Sequence, residues 1–218
     1  MDLERLLDEQ RRLNSKIILE DRFSRIDYVA GVDSSYINDK IITAAVLVDY
    51  PSRAILKREY VIDKIDFPYI PGLLFYREGK NTIKAIDKLK PRPDIILIDG
   101  GGINHPRKIG SASHVGVILE KTTIGVTKKM FYGSCIDPTE VGESSPIILD
   151  DMVIGYAYKP KNRTNPIYIT PGNRISVDSA FEVTKNLISK YKLPIPIQEA
   201  HNFAKSIKLS FKESTKEV

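Results

Sequence analysis

The sequence predicts an α/β protein: a mixed central β-sheet, an antiparallel three-strand meander followed by parallel strands, flanked by helices. Two observations lead there. Three runs rich in Val, Ile and Tyr follow one another between Asp27 and Ile62, joined by links as short as Asn38-Asp39 and Pro51-Ser52. Links that short favour antiparallel hairpins. Beyond them, short and wholly apolar runs alternate with helix-period segments, as expected of inner strands covered on both faces.

Taken in order, Leu3, Leu6, Leu7, Leu13, Ile17 and Ile18 recur at helical spacing and predict an amphipathic helix through residues 1–20. The meander occupies 27–34, 40–49 and 53–62. Residues 73–89 read as a helix with Leu74, Ile83, Ile86 and Leu89 on one face, stopped by Pro91 and Pro93. Residues 95–98 form an inner strand, 113–120 a short helix and 123–126 another inner strand. Strand-like pieces follow at 152–158 and 167–170. Ser176 is the N-cap of a helix to about residue 191, and 197–208 forms a last helix. From Lys212 the tail is polar and expected to fray. The stretch 137–161 carries no chemistry that its residues announce.

At 218 residues the chain suits a single domain, 1–218, with 28% charged and 42% hydrophobic residues. Lys and Arg number 33 against 28 Asp and Glu, a net charge of +5 that suits a polyanionic partner without proving one. The single Cys135 excludes an intramolecular disulfide and points to a reducing compartment, with the thiol acting as a small buried hydrophobe. The N-terminus shows no signal-peptide pattern, and no run approaches the ~20 apolar residues of a membrane span. A cytoplasmic monomer, away from membranes, is expected.

Three acidic residues stand where a carboxylate has no evident packing use. Asp33 ends the apolar run Tyr-Val-Ala-Gly-Val-Asp; Glu78 lies in Phe-Tyr-Arg-Glu-Gly; Asp99 ends Ile-Ile-Leu-Ile-Asp and opens into Gly100-Gly101-Gly102. Singly, each has a plain structural use: a strand-end turn, a helix-surface charge, a cap before a glycine loop. Jointly, carboxylates at adjacent strand ends are how a protein binds a hard divalent cation. In a basic chain that combination points to phosphodiester chemistry. The first and fourth predicted strands bring Asp33 and Asp99 side by side, with the helix bearing Glu78 packed over them.

The segment Pro68-Tyr69-Ile70-Pro71-Gly72 is stiffened by two prolines around an apolar tip, the shape of a wedge that enters between base steps. Together with Asp33, Arg77-Glu78-Gly79, Asp99-Gly100-Gly101-Gly102, His105-Pro106-Arg107, Gly110-Ser111-Ala112-Ser113-His114-Val115-Gly116 and Lys128, it closely resembles the endonuclease V family. The resemblance is dense from about residue 27 to 131 and thinner to about 205. It implies a ribonuclease H-like fold and a DNA-repair endonuclease cutting the second phosphodiester bond 3′ to deoxyinosine, leaving 3′-hydroxyl and 5′-phosphate ends.

The same resemblance makes Asp33, Glu78 and Asp99 ligands of Mg²⁺, with Mn²⁺ as a substitute, and His201 a further ligand. It places Lys128 near the scissile phosphate and Tyr69, Ile70, Pro71 and Gly72 at the lesion. Gly100, Gly101 and Gly102 would wall a pocket for the flipped hypoxanthine, whose missing 2-amino group distinguishes it from guanine. Arg77, His105, Arg107 and His114 would bind substrate, with the tasks of the last three undivided. With no Trp in the chain, stacking falls to Tyr and Phe. Two other readings stand beside this one: an inosine-specific ribonuclease, and a non-catalytic binder of bent or damaged nucleic acid.

Overall fold

Val, Ile and Tyr between Tyr28 and Lys64 build the first part of the sheet in the computed structural model, which describes residues 2–214. Helix α1 (Leu3–Asn14) precedes it, N-capped by Asp2, which accepts from the Arg5 amide. Strands β1 (Tyr28–Ile37), β2 (Lys40–Asp49) and β3 (Ile55–Lys64) pair antiparallel, and Asn38 takes a left-handed φ of 51° in the tight β1–β2 turn. Helix α2 (Leu74–Asp87) crosses back, so that β4 (Ile95–Asp99) joins β1 in parallel. Helix α3 (Ser111–Leu119) makes a second crossover to β5 (Thr122–Thr127), parallel to β4.

Strands β6 (Ser144–Leu149), β7 (Met152–Tyr158) and β8 (Ile167–Asn173) then extend the sheet antiparallel, giving the order β3-β2-β1-β4-β5-β8-β7-β6. Helices α4 (Val177–Asn186) and α5 (Ile195–Ser214) close the chain. Strand alternation sorts the core into two layers. Val29, Ile95 and Leu97 face α4 and α5, whereas Ala30, Val32, Ile96 and Ile98 face α2 and α3. No helix among the described residues is long and apolar enough to cross a membrane.

Several expected boundaries move, each for a visible reason. The opening helix stops at Asn14 because the backbone of Ile18 is captured by the end of the sheet: its amide donates to Asn173 Oδ1, and its carbonyl accepts from Arg174. Strand β1 runs to Ile37, since β2 continues to pair with it after β4 has ended. Ser176 caps α4 as expected, but the helix ends at Asn186, where the Leu187 carbonyl turns to accept the Ile195 amide. Pro196 sits in the first turn of α5, where its missing N–H costs nothing. That helix continues to Ser214, so 212–214 are helical rather than frayed, and 215–218 lie outside the described residues. Strand β6 was not expected; it is an edge strand interrupted by Pro146, a residue that edges tolerate.

One close approach fixes α5 on the sheet. A Cβ added to Gly31 would lie 2.1 Å from the Pro196 carbonyl carbon and 2.4 Å from the Ile197 nitrogen. Only glycine lets the helix backbone seat there. Gly31→Ala should therefore lower unfolding free energy by about 1–3 kcal/mol through overpacking, read from urea denaturation. A variant as stable as the wild type would show that α5 is not held at this point.

Candidate active site

Because β4 ends at Asp99 and β5 at Thr127 while β1 runs on, the parallel part of the sheet opens at one edge. Val32 pairs with Ile98, so Asp33 and Asp99 occupy the next level on adjacent strands. Asp33 lies within its strand, opposite Ala44, rather than at a strand end as expected. Its side chain, 11% exposed, follows Val29 and Gly31 toward α5, where His201 donates Nδ1–H to Oδ2 at 2.7 Å. The Ser34 amide holds the other oxygen at 2.8 Å. Tyr36, three residues on, faces the opposite layer and donates its hydroxyl to Glu78 of α2. Asp99, 16% exposed, accepts from Lys128, which follows β5.

Three carboxyls thus converge from two layers, and they perturb one another. Burial first, and then the charges of Asp33 and Asp99, push the Glu78 carboxyl up to about 7, although the Tyr36 bond pulls it down. Burial and the charge of Asp99 likewise raise Asp33, against the pull of His201 and Lys128. As they stand, each carboxyl is turned to a protein partner, and no three His, Cys, Asp or Glu side chains among the described residues close around a metal position. The donor set itself fits a hard divalent cation: all oxygen, partly desolvated and mutually repelling.

Beside the carboxyls lies a cavity of about 440 Å³, within the range of a small-ligand site. Tyr69, Ile70 and Gly72 form one wall, Gly100 and Gly101 another, and Met130 and Phe131 a third; His105, Asp99 and Lys128 also reach it. Tyr69 is 67% exposed at the lip. Gly102 is not in the lining. Its Cα faces β8, where a Cβ would stand 2.2 Å from the Pro171 carbonyl oxygen.

The expected substrate-binding residues divide accordingly. His105 is buried, and burial holds its imidazole down at about 4, so the ring is neutral. Its Nε2 lies 3.0 Å from the Gly72 carbonyl, which only accepts, and its Nδ1 accepts from the Arg107 amide; the proton is therefore on Nε2. Arg107 gives Nε to Gln10 and Nη2 to Gly72. Arg77 donates to the Phe67 carbonyl at 2.5 Å and stacks over the Tyr36 ring. His114 is wholly buried, stacked on Phe75 with centroids 3.6 Å apart, and is absent from the cavity wall. Tyr36, Gln10, Met130 and Phe131 were not singled out from the sequence; only Tyr36, close to Asp33 in the chain, offered a local clue.

The Endonuclease V family model matches residues 11–202. An Endonuclease V of Dictyoglomus thermophilum is 38% identical over 197 residues, 90% of this chain and 86% of the relative. The crystal structure of the Bacillus subtilis Endonuclease V superposes with a TM-score of 0.91 at 29% identity, covering 98% of this chain and 95% of that one. A Ciona intestinalis Endonuclease V, in complex with a 24mer DNA containing an inosine followed by a ribo-adenosine, superposes with a TM-score of 0.83 at 25% identity, covering 96% and 98%. The ribonuclease H-like sandwich expected from the motifs is the fold of this chain.

The carboxyl cluster predicts a pH signature. A carboxyl raised to about 7 contributes stability that is present below its ordinary 4.5 and lost as pH rises through 7. The lowered histidines His105 and His114, both at about 4, act in the opposite sense, adding stability as pH rises from 4 to their ordinary 6.5. Glu78→Gln separates the two. With divalent cations chelated, the wild type should lose up to about 3 kcal/mol relative to Glu78→Gln between pH 4.5 and 7.5. Urea titrations across that range check it, and a pH-independent difference would mean that Glu78 titrates normally.

Proposed function

The chain belongs to the endonuclease V family, and we propose that it is a deoxyinosine-specific repair endonuclease using Mg²⁺ held by Asp33, Glu78 and Asp99, with His201 as a further ligand. The observation that carries this reading is the convergence of three mutually perturbed carboxyls at a sheet edge, beside a cavity with an exposed aromatic lip. When bound, the cation supplies an activated water and neutralises charge on the scissile phosphate and the leaving oxygen.

The chain's own residues set up the rest. Tyr69 stands exposed at the lip to fill the gap left by an extruded base, with Ile70 and Pro71 stiffening the tip. Gly100 and Gly101, packed close against Ser111 and Asn104, bring backbone to the wall of the cavity that would take the base, where the 2-amino group of guanine would be excluded. Lys128, on the Asp99 side of the cluster, offers its ammonium to the phosphate being cut. His201 steadies Asp33 from α5, and Tyr36 aims Glu78 from β1. The cut falls at the second phosphodiester bond 3′ to the lesion, and the enzyme works as a monomer. In the Ciona intestinalis complex a ribo-adenosine follows the inosine, which favours RNA-containing strands as a second substrate to test.

Labelled strands carrying one inosine, as DNA and as RNA, should be cut with Mg²⁺ and left intact with EDTA. Mn²⁺ should restore cutting. Asp33→Ala and Asp99→Ala should lose at least about 100-fold in rate, the several kcal/mol that metal activation supplies. Near-normal turnover by either variant would remove the proposed site, and binding without any cleavage by the wild type would leave a non-catalytic binder. Tyr69→Ala should weaken duplex binding by roughly 5- to 150-fold, the worth of ~1–3 kcal/mol of base stacking, while sparing unpaired inosine. An equal defect on both substrates would place Tyr69 in the catalytic centre instead.

A further inference from the structure

Helix α1 is amphipathic, yet of its two buried residues only Leu13 is apolar; the other is Gln10, 1% exposed. A buried amide is costly unless all its polar atoms are bonded. Gln10 spends its bonds far along the chain. Its Nε2 donates to the Gly72 carbonyl at 3.0 Å, and its Oε1 accepts from Arg107 Nε at 2.6 Å. The same carbonyl also receives Arg107 Nη2 at 2.9 Å and His105 Nε2 at 3.0 Å.

Three donors from two separate segments therefore meet on one backbone oxygen. That oxygen belongs to the residue where the loop 68–72 turns into α2, a glycine at φ +80°. A second tie runs alongside, from the Tyr76 hydroxyl to the Leu6 carbonyl of α1. The tip of the loop, by contrast, stands in solvent at Tyr69. A tip driven between stacked bases is pushed back by them, and its base must not yield. Gly72 is where the loop would otherwise yield, because glycine alone has no steric preference to resist rotation.

We propose that Gln10 is a positioning residue for lesion capture: through Gly72 and Arg107 it locks the base of the loop 68–72, so that Tyr69 enters the duplex as a rigid wedge. This rests on the inosine-endonuclease reading above and names what holds its recognition loop. Arg107 and His105 are then parts of the same clamp rather than contacts to phosphate. Gln10 reaches the wall of the cavity but bonds to Gly72 and Arg107 and to none of Asp33, Glu78 and Asp99, so it acts on capture more than on chemistry.

The test uses the full chain as wild type, Gln10→Ala and Gln10→Glu, with inosine in a duplex and in a single strand, and 2-aminopurine beside the lesion to report unstacking. Gln10→Glu keeps the side-chain volume and the Arg107 partner but removes the N–H given to Gly72, so it remains informative if Gln10→Ala folds poorly. Both variants should need about 3- to 10-fold more enzyme for half-saturation on the duplex, the worth of one such hydrogen bond. The 2-aminopurine rise should shrink in parallel, the single-turnover rate at saturation should fall by less than capture does, and single-stranded inosine should be nearly spared.

Gln10→Glu capturing duplex inosine as the wild type does would overturn the clamp. So would equal losses on duplex and single strand accompanied by a lowered thermal midpoint, since Gln10 would then merely fasten α1 to the body. A wild type that cuts neither substrate overturns the functional reading itself, and the clamp with it.

Discussion

Asp33 and Asp99 stand level on adjacent parallel strands, and Glu78 is brought to them from the opposite face of the sheet. Mutual repulsion among these carboxyls, in a place that water only partly reaches, is the constraint to which the surrounding residues answer. Each carboxyl has been given a different partner: an imidazole N–H for Asp33, a phenol for Glu78, an ammonium for Asp99. The partners come from α5, β1 and the segment after β5, so three distant parts of the chain are committed to one cluster. Gly31 extends the same logic into the core, because it lets the backbone of α5, the helix that carries His201 to Asp33, approach β1 closely.

The second organising feature is the joint between loop and body. Pro68 and Pro71 stiffen the recognition loop internally, but stiffness within a loop is of no use if its root can rotate. The root is held by side chains on α1 and on the segment 105–107, converging on Gly72. His105 and His114 make the division clear. Both are buried and both are held neutral by burial. His105 has each ring nitrogen bonded within the joint, whereas His114 is a flat filler between Phe75 and Tyr76, with neither nitrogen bonded.

What could be read from the chain was what has a short period or a short spacing. The meander, the two inner strands and the carboxyl at the end of one of them are local patterns, and so are the two prolines around Tyr69. The bonds from Gln10 to Gly72 and Arg107 span 62 and 97 residues, and no local pattern marks Gln10 as different from other polar residues on α1. Tyr36 lies three residues from Asp33, but its use depends on strand alternation sending it to the opposite layer, which needs the true end of β1. Strand β6 was hidden by Pro146, whose presence argues against a central strand and says nothing against an edge.

A cluster of repelling carboxyls lowers the stability of the fold that contains it, and the architecture places this cost where it disturbs least. The strands beneath it, β1, β4 and β5, are covered on both faces, with Val29, Ile95, Ile96, Leu97 and Ile124 almost wholly removed from water. Asp99 stands on the last rung of the β4–β5 ladder, opposite Val126, and Asp33, inside β1, is braced by its pairing with Ala44 of β2, so the repelling side chains are carried on backbone that the sheet already holds. Local rules are broken at the rim and obeyed in the layer below, as expected where a fold gives up stability for chemistry. The same separation explains why Glu78 is borne by a helix. Carried on a third strand, it would sit in register with the two aspartates and could not approach them independently. On α2 it approaches them from the opposite layer and is aimed by the Tyr36 hydroxyl of β1.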